Sequence, residues 1–299
     1  MADAHPTMID MPDRTDVQPA ITEELVLVPW HFRPRLNLPL LIGAAMVLLS
    51  IGFALAAPSL TTHDPLEIAD ASLSPPSTEF LLGTDQLGRD VLTRVLYAAR
   101  SSLAAACLSA ALAFVSGTMI GLLAGYSSGL LDAGLMRFLD ILQAFPALLL
   151  AIALVAALGP NLPNLVLTMA LLFMPRFARV ARASSLSVRE RDYITAAIGL
   201  GVSRARTLYR HVLPNVAAPL IVEASLTVTI AILTEASLSF LGLGVQPPNP
   251  TWGGMIAEST SVMALAPWLA LAPGFAIVFV VVGFNLLGDG LRDALDPRG

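Results

Sequence analysis

The chain has 299 residues, of which 56% are hydrophobic and only 13% are charged, and its net charge is -5. An ordinary soluble domain carries about 25% charged residues, so this composition excludes a typical soluble protein and predicts an integral membrane protein. All 17 basic residues are arginine. Because the chain has no lysine, it cannot supply the phosphate-loop lysine of an ATPase or form a Schiff base.

Cysteine and histidine give no pattern typical of a catalytic or metal site. The single cysteine, Cys107, lies in an apolar run and has no disulfide partner. The four histidines are scattered and form no metal-ligand pattern. No catalytic triad or nucleotide-binding fingerprint is present. We therefore expect no catalytic residue, cofactor or metal on this chain, and no enzymatic activity.

The N-terminal part divides into a polar leader and an apolar run. Residues 1–37 are rich in Asp and Pro, which predicts a cytoplasmic leader that is disordered or lies along the membrane surface. The run Leu38–Ala57 is long enough to cross the roughly 30 Å hydrocarbon layer. Its end resembles a small-residue cleavage site, but the long leader and the length of the run favour a retained anchor. Residues 38–299 are then predicted to form one transmembrane domain.

Six apolar segments are candidates for membrane-spanning helices. The fourth is the weakest, because its uninterrupted apolar core, 162–174, is shorter than the roughly 17 to 25 residues that a span needs. It requires the side chains of Arg176 and Arg179 to extend to one interface. The predicted spans are Leu38–Ala57, Ser102–Tyr126, Phe138–Leu158, Leu162–Ala181, Val216–Leu241 and Leu265–Leu287.

The positions of the arginines predict the orientation of these spans. With a cytoplasmic N-terminus, the outer loop 58–101 carries three arginines, the outer loop 242–264 carries none, and the other fourteen are cytoplasmic. The positive-inside bias therefore favours a topology with both termini in the cytoplasm. The same bias supports the fourth span, since the arginines from 176 to 210 would be exported without it. The basic segment 183–215 is then a cytoplasmic loop.

Glycines and carboxylates mark particular faces of the spans. Gly117, Gly121 and Gly125 follow the small-x-x-x-small spacing that permits close helix approach. Near the cytoplasmic ends, the carboxylates at 140 and 223 are expected to bond to neighbouring helix ends. Glu235 lies toward the outer third of the fifth span, where a carboxylate fits a translocation path as well as a structural role.

The outer loops carry two local patterns. The loop 242–264 is rich in turns, and Trp252 is available there for the membrane interface or for a docked binding protein. The block 83–94 predicts a surface helix on the outer rim of the bundle, with charges spaced for local pairs. The residues that could pair there are Asp85, Arg89, Asp90 and Arg94.

The cytoplasmic segment 191–215 combines basic residues with an apolar helical stripe. Gly199 and Gly201 each raise the cost of a continuous helix by about 1 kcal/mol, so we predict two short helices with a turn near Gly201, the second ending at Pro214. Such an element could lie on anionic lipid, form a solvated loop or dock a partner protein. Its basic face slightly favours lipid, whereas a stripe rich in Ala and Gly favours close approach to a protein. The stripe comprises Ile194, Ala197, Ile198, Gly201, Ala205, Leu208, Tyr209 and Val212.

This segment resembles the cytoplasmic EAA loop of ABC-importer permeases, with two alanines at 196–197, a glycine at 201 and Leu-Pro at 213–214 in the family's spacing. Thr195 stands where the family usually has glutamate. Three other blocks are similar to the C-type permease subunit of dipeptide and oligopeptide importers, a family that includes nickel permeases. The resemblance covers about residues 38–297. The blocks are LGTDQLGRDVLTRVLYAARSSL (82–103), ASLSFLGLGVQPPNPTWGGM (236–255) and FNLLGDGLRDALDP (284–297).

The resemblance implies an all-α, type I ABC-importer permease fold with six transmembrane helices in a bacterial cell membrane. It implies a loop that inserts into a cleft on a separate ATPase subunit, so that ATP hydrolysis moves the spans between inward-open and outward-open states. The residues it assigns to this ATPase-coupling loop are Thr195, Ala196, Ala197, Gly201, Arg204, Arg206, Leu208, Arg210, Leu213 and Pro214.

The implied partners are a second, B-type permease subunit, two ATPase subunits that hold ATP and magnesium, and an extracytoplasmic solute-binding protein. The expected ligands are peptide and membrane lipid, with no nucleic acid. Peptide is favoured over nickel or another small solute, because no His, Cys or Met cluster lies in the spans. An ATPase-independent secondary transporter that uses Glu235 for its path is a less favoured alternative, and a membrane-anchored scaffold is a third.

Overall fold

The computed structural model describes residues 37–127 and 129–295. Within these ranges the regular structure is helical, apart from one isolated antiparallel bridge between Thr84 and Asp90. The predicted leader lies outside the described residues except for its last residue, Asn37. The helices are α1 (Leu38–Leu60), α2 (Val91–Tyr126), α3 (Leu130–Ala144), α4 (Ala147–Leu158), α5 (Leu162–Arg189), α6 (Asp192–Gly199), α7 (Arg204–Thr207), α8 (Leu213–Phe240), α9 (Trp252–Ser259) and α10 (Trp268–Leu295), with a π-helical turn (Leu208–Val212) between α7 and α8.

The number of spanning helices agrees with the sequence prediction. In the described ranges, α1, α2, α5, α8 with its π-helical turn, and α10 are long and apolar enough to cross a membrane. The pair of α3 and α4 makes a sixth span when it is counted as one element. The predicted all-α membrane fold is confirmed, while the orientation of its helices stays a prediction.

The third predicted span, 138–158, is not one straight helix. α3 and α4 meet at an angle of 91°, and the break between them lies at Phe145 and Pro146. Proline lacks an N–H and disfavours a helical conformation in the residue before it, and Phe145 is accordingly extended, with ψ of 142°. The prediction treated this segment as continuous and also missed that α3 begins at Leu130.

Two close approaches hold α1 against α10. A Cβ built on Gly43 of α1 would meet the backbone of Leu287, and one built on Gly290 of α10 would meet the backbone of Leu40. At the start of α1, Asn37 caps the helix by accepting a hydrogen bond from the Leu40 N–H at 2.9 Å. Its amide also donates to the Gly290 carbonyl oxygen at 3.2 Å. The first and last spans therefore pack backbone to backbone.

The predicted glycine face of α2 packs against α5. Cβ atoms built on Gly117, Gly121 and Gly125 would all collide with α5. At Gly121 the obstacle is the carbonyl oxygen of Ala178, and at Gly125 it is the side chain of Ser185. The small-x-x-x-small prediction is confirmed, because only glycine permits this separation of the two helices.

Trp252 is buried where α9 packs against α2. It is only 2% exposed, its indole N–H donates to the Val95 carbonyl oxygen at 3.1 Å, and its backbone N–H donates to the Ser102 hydroxyl at 3.3 Å. The expectation that Trp252 is available to the membrane interface or to a binding protein is wrong. The reason is that its large ring and indole donor both find partners on α2, where they fasten the short helix α9.

Arg94, in the first turn of α2, is the centre of a charge cluster beside α9. Its guanidinium lies 2.9 Å from Glu258 and 3.3 Å from Asp85, and Arg89 lies 2.7 Å from Asp85. The predicted pairing of Asp85 with the two arginines is confirmed, although Glu258 was missed. Asp90 instead caps α2 by accepting backbone hydrogen bonds from its first turn. The cluster joins the loop between α1 and α2, the first turn of α2, and α9.

Candidate functional site

The segment between α5 and α8 contains the two short helices that the sequence predicts. α6 ends at Gly199 and α7 begins at Arg204. Gly201 between them has a φ of +80°, which glycine adopts without steric cost. A Cβ built on Gly199 or Gly201 would meet nothing within 4 Å in the described ranges. The turn is therefore exposed, and its backbone favours glycine at position 201.

Pro214 does not end the second short helix, contrary to the prediction. α7, the π-helical turn and α8 follow one another from Arg204 to Phe240. Pro214 lies in the first turn of α8, where the missing N–H of proline is tolerated. The N–H of Leu213, just before it, donates to the carbonyl oxygen of Leu208, five residues earlier. The wider π turn accommodates the proline. The second short helix is thus continuous with a spanning helix.

Three residues of the apolar stripe pack against the core of this chain. Ile194 and Val212 have an exposed fraction of 0%, and Leu208 packs against the same core. Short helices are marginal alone and are stabilised by burying their apolar side, so the prediction that the stripe is an outward docking face is wrong for Ile194 and Val212. Tyr209, with 77% exposure, and Gly201 are exposed instead. The side chains of Ala197, Ile198 and Ala205 lie outside the described residues.

A different set of side chains faces outward and defines what we term the coupling surface. Two of its members are large and apolar, Leu200 at 86% and Tyr209 at 77% exposure. Leu200 was missed by sequence reasoning, although its place between two glycines is typical of an exposed turn. Of the predicted coupling residues, Leu208, Leu213 and Pro214 are half-buried, and the side chains of Ala197 and Arg204 lie outside the described residues. The coupling surface consists of Thr195, Ala196, Gly199, Leu200, Gly201, Arg206, Tyr209 and Arg210.

Four of the predicted coupling residues line one cleft of about 620 Å³ where α7, the π-helical turn and α8 meet. Tyr209 and Ala217 complete its lining. Among the described residues, no carboxylate oxygen lies within 4.0 Å of either arginine in this cleft. Within the described part of the chain, the cleft therefore presents positive charge without a paired carboxylate, beside an aromatic ring. The four predicted residues are Arg206, Arg210, Leu213 and Pro214.

Several contacts attach this segment to the bundle. Arg189, at the end of α5, donates to the carbonyl oxygens of Gly125 at 3.4 Å and Ser127 at 3.5 Å, at the end of α2. The rings of Tyr193 in α6 and His211 in the π-helical turn lie 6.2 Å apart. These contacts join the segment to α2, α5 and α8.

Two ion pairs connect α3 to the same end of α5. Arg182 binds Asp132 through both carboxylate oxygens, at 2.6 and 2.7 Å. Arg179 lies 2.9 Å from Asp140. The second pair is more than half exposed, so it contributes at most about 1 kcal/mol to stability. The expectation that the carboxylate at 140 bonds to a neighbouring helix is confirmed.

Glu235 lies in the interior of the bundle. It has an exposed fraction of 0%, and its Oε1 accepts a hydrogen bond from the Ser239 hydroxyl at 2.7 Å. Its Oε2 has no hydrogen-bond partner among the described residues. Glu235 does not line the cleft at the coupling surface, and its role in a translocation path stays a prediction.

Comparison with known proteins agrees with this arrangement. Residues 117–298 match the family of binding-protein-dependent transport system inner membrane components. The chain is 44% identical over 259 residues to the dipeptide transport system permease protein DppC of Alkalihalophilus pseudofirmus, covering 86% of this chain and 85% of that protein. It is 45% identical over 263 residues to the di/tripeptide transport system permease protein DppC of Pseudomonas aeruginosa, covering 86% and 87%.

A third relative is matched over more of its length. The chain is 42% identical over 285 residues to the glutathione transport system permease protein GsiD of Pectobacterium atrosepticum, covering 94% of this chain and 95% of that protein. Each of these proteins is a permease by name, which indicates a transport component rather than an enzyme. The chain belongs to the family of binding-protein-dependent transport system inner membrane components.

Proposed function

We propose that this chain is the permease subunit of an ATP-driven importer of di- or oligopeptides. It forms half of the translocation path beside a second, B-type permease subunit, and two ATPase subunits and an extracytoplasmic solute-binding protein complete the complex. Family membership supports binding-protein-dependent transport. The dipeptide, di/tripeptide and glutathione permeases among its relatives favour peptides over nickel or another solute.

The observation that carries the proposal is the continuity of the coupling surface with spanning helices. α6 follows α5 after a short turn, and α7 runs through the π-helical turn into α8. A partner that binds the exposed turn at Leu200 and Gly201 therefore moves α5 and α8 together as one rigid body. An isolated, unattached loop could not transmit such a motion.

The coupling surface also has the chemistry of a docking site. Leu200 and Tyr209 supply apolar and aromatic area, which is typical of residues that dominate binding energy. Arg206 and Arg210 supply positive charge that steers association with an acidic partner surface. We assign the ATPase subunit to this surface, on the cytoplasmic side that the distribution of arginines predicts.

The energy source lies on other chains in this scheme. This chain has no lysine and therefore cannot form a phosphate loop, so ATP and magnesium are held by the ATPase subunits. ATP binding favours one arrangement of the coupling surfaces and hydrolysis favours another. Because each arrangement has its own contacts, the spans shift between inward-open and outward-open states.

Cross-linking tests the proposed docking. Cys107 is the single cysteine of the chain, so Cys107→Ser provides a cysteine-free background for a Leu200→Cys variant. When the tagged chain is purified from membranes, we expect a second permease and an ATPase subunit to copurify. A thiol-reactive cross-linker at position 200 should capture the ATPase.

Leu130→Cys is the matched control, because Leu130 is 92% exposed but lies at the start of α3, outside the coupling surface. It should give little ATPase adduct. Active transport by the purified chain without any ATPase subunit would contradict the proposal and favour a secondary transporter. Uptake that survives deletion of 191–215 would favour a scaffold.

A further inference from the structure

A second cleft, of about 550 Å³, lies between the α3–α4 break, α5 and α8. We term it the membrane cleft. Its volume is within the range of roughly 300 to 1,000 Å³ that is typical of small-molecule sites. Residues of four helices line it: Leu142 and Gln143 of α3, Phe145 at the break, Ala147 and Leu148 of α4, Leu172, Phe173 and Arg176 of α5, and Ile230, Leu233, Thr234 and Ser237 of α8.

The lining is mostly apolar, with four polar side chains. The Thr234 hydroxyl donates to the Ile230 carbonyl oxygen at 2.8 Å, and the Ser237 hydroxyl donates to the Leu233 carbonyl oxygen at 2.7 Å. Each hydroxyl has thereby used its one donor and keeps acceptor capacity toward the cleft. Gln143 adds an exposed amide that can donate and accept. Arg176 adds the cleft's one charged group.

Arg176 differs from the two arginines that follow it on α5. Arg179 and Arg182 each pair with an aspartate of α3. In residues 37–127 and 129–295, no carboxylate oxygen lies within 4.0 Å of Arg176. Glu223 of α8 is close enough for its charge to interact with that of Arg176, although it lies beyond that distance. The guanidinium donors of Arg176 are therefore available to a ligand.

The depth of Arg176 makes this availability significant. It lies 14 residues after Leu162, the start of α5, which is about 21 Å along the helix axis. When the span begins at Leu162, Arg176 lies in the last third of the roughly 30 Å hydrocarbon layer, from which its long side chain can extend to the nearby interface. A charged side chain within the layer is stable when it reaches an interface or a water-filled cavity, and Arg176 lines the membrane cleft.

We propose that the membrane cleft binds the peptide in transit and that Arg176 binds its terminal carboxylate. The fork of guanidinium donors matches the two oxygens of a carboxylate. Thr234 and Ser237 accept hydrogen bonds from peptide N–H groups, and the apolar lining contacts the side chains. This assignment rests on the proposed function as a peptide permease and names the part of the substrate that this chain recognises.

Uptake by the complete reconstituted complex tests the assignment. The probes are dialanine and its C-terminal amide, both supplied at concentrations that saturate the binding protein, so that the translocation step is compared. Arg176→Gln should lower the maximal rate of dialanine uptake about tenfold or more, the loss expected for a charge-assisted hydrogen-bond pair. It should leave the uptake rate of the amide unchanged, because the amide has no carboxylate for Arg176 to bind. Arg176→Lys, which keeps the charge but lacks the fork of donors, should restore only part of the dialanine rate.

Arg179→Gln is the matched control, since it removes an arginine one turn further along α5 and should leave the ratio of the two rates unchanged. Equal loss of both substrates in Arg176→Gln, or no change in the dialanine rate, would overturn the assignment. So would recovery of wild-type rates in the double variant Arg176→Gln with Glu223→Gln, because Arg176 would then serve only to balance Glu223. Absence of ATP-dependent dialanine uptake in the wild-type complex would instead refute the proposed function itself.

Discussion

Gly201 is the residue on which the exposed turn of the coupling surface depends. Its φ of +80° favours glycine, and the space around it is open. Gly201→Asp has room for its side chain, and the strain at this φ costs about 1–2 kcal/mol, so we expect reduced stability but intact membrane insertion, while the new side chain obstructs the partner's cleft. We expect uptake per ATP hydrolysed to fall about tenfold or more, as for a central interface residue. Parallel measurements of uptake and ATPase rate in proteoliposomes check this.

Gly129→Asp is the matched control for that variant. Gly129 has a φ of +75° and equally open surroundings, but it precedes α3 and lies outside the coupling surface. Asp at this positive φ is also strained, so Gly129→Asp should lower stability as well but leave coupling unchanged. Equal coupling in the two variants would show that backbone strain, and not docking, explains any effect at Gly201.

Arg94 is predicted to stabilise the outer side of the bundle. Arg94→Met would remove one of the two arginines that Glu258 and Asp85 share, with Arg89 remaining as the other, and the loss of its hydrogen bond to the Glu258 carboxylate costs about 1–3 kcal/mol. The thermal unfolding midpoint of the purified protein should fall. Arg100→Met on the exposed side of the same helix is the control and should leave the midpoint nearly unchanged. An unchanged midpoint in Arg94→Met would mean that the cluster does not stabilise the fold.

Single residues show where sequence reasoning reaches its limit. The pair of Asp85 and Arg89 is predictable, because four positions of sequence separate them. Arg94 and Glu258 are 164 positions apart in the sequence, and Trp252 is buried by contacts with α2. The spacing of neighbouring residues therefore could not predict the ion pair or the burial of Trp252. For the same reason, burial of Ile194 in the core could not be distinguished from an outward stripe.

At the scale of elements, the packing of α2 against α5 gives a direct test. Gly121→Leu forces a side chain into the backbone of α5 at Ala178, and overpacking of this kind costs about 1–3 kcal/mol or more. We expect a lower yield of monodisperse protein in size-exclusion chromatography. Gly52→Leu on α1 is the control, because a Cβ there would meet nothing within 4 Å in the described ranges. Equal yields would contradict the close approach.

Helix boundaries were less predictable than helix existence. Hydropathy located every spanning segment, but it could not separate a straight helix from the bent pair α3–α4, even though Pro146 was visible in the sequence. Pro214 has the opposite outcome, because it was predicted to end a helix but a π-helical turn lets the helix continue. A proline's effect depends on the hydrogen bonds available around it, which periodicity does not reveal.

At the scale of the whole molecule, orientation is the first quantity to test. With both termini in the cytoplasm, the coupling surface and the outer loop face opposite sides. In a Cys107→Ser background, a membrane-impermeant maleimide added to intact cells should label Leu87→Cys, which is 56% exposed in the outer loop. It should label Leu200→Cys only after permeabilisation. The reverse pattern would contradict the orientation and remove the coupling surface from the ATPase.

The architecture as a whole was largely predictable because it rests on composition and span length, which the bilayer constrains strongly. The family resemblance added the place of the coupling segment. What could not be predicted is which side chains of that segment face outward, or that α3, α5 and α8 enclose a cleft around Arg176. Both follow from tertiary packing between segments that are distant in sequence.

The most direct test of the central claim is ATP-dependent uptake of labelled dialanine into proteoliposomes. They contain this chain with its second permease and ATPase subunits, with ATP enclosed and the loaded binding protein outside. We predict accumulation above the external concentration with ATP and none with ADP. Accumulation without the ATPase subunits, or driven by an ion gradient alone, would contradict the account.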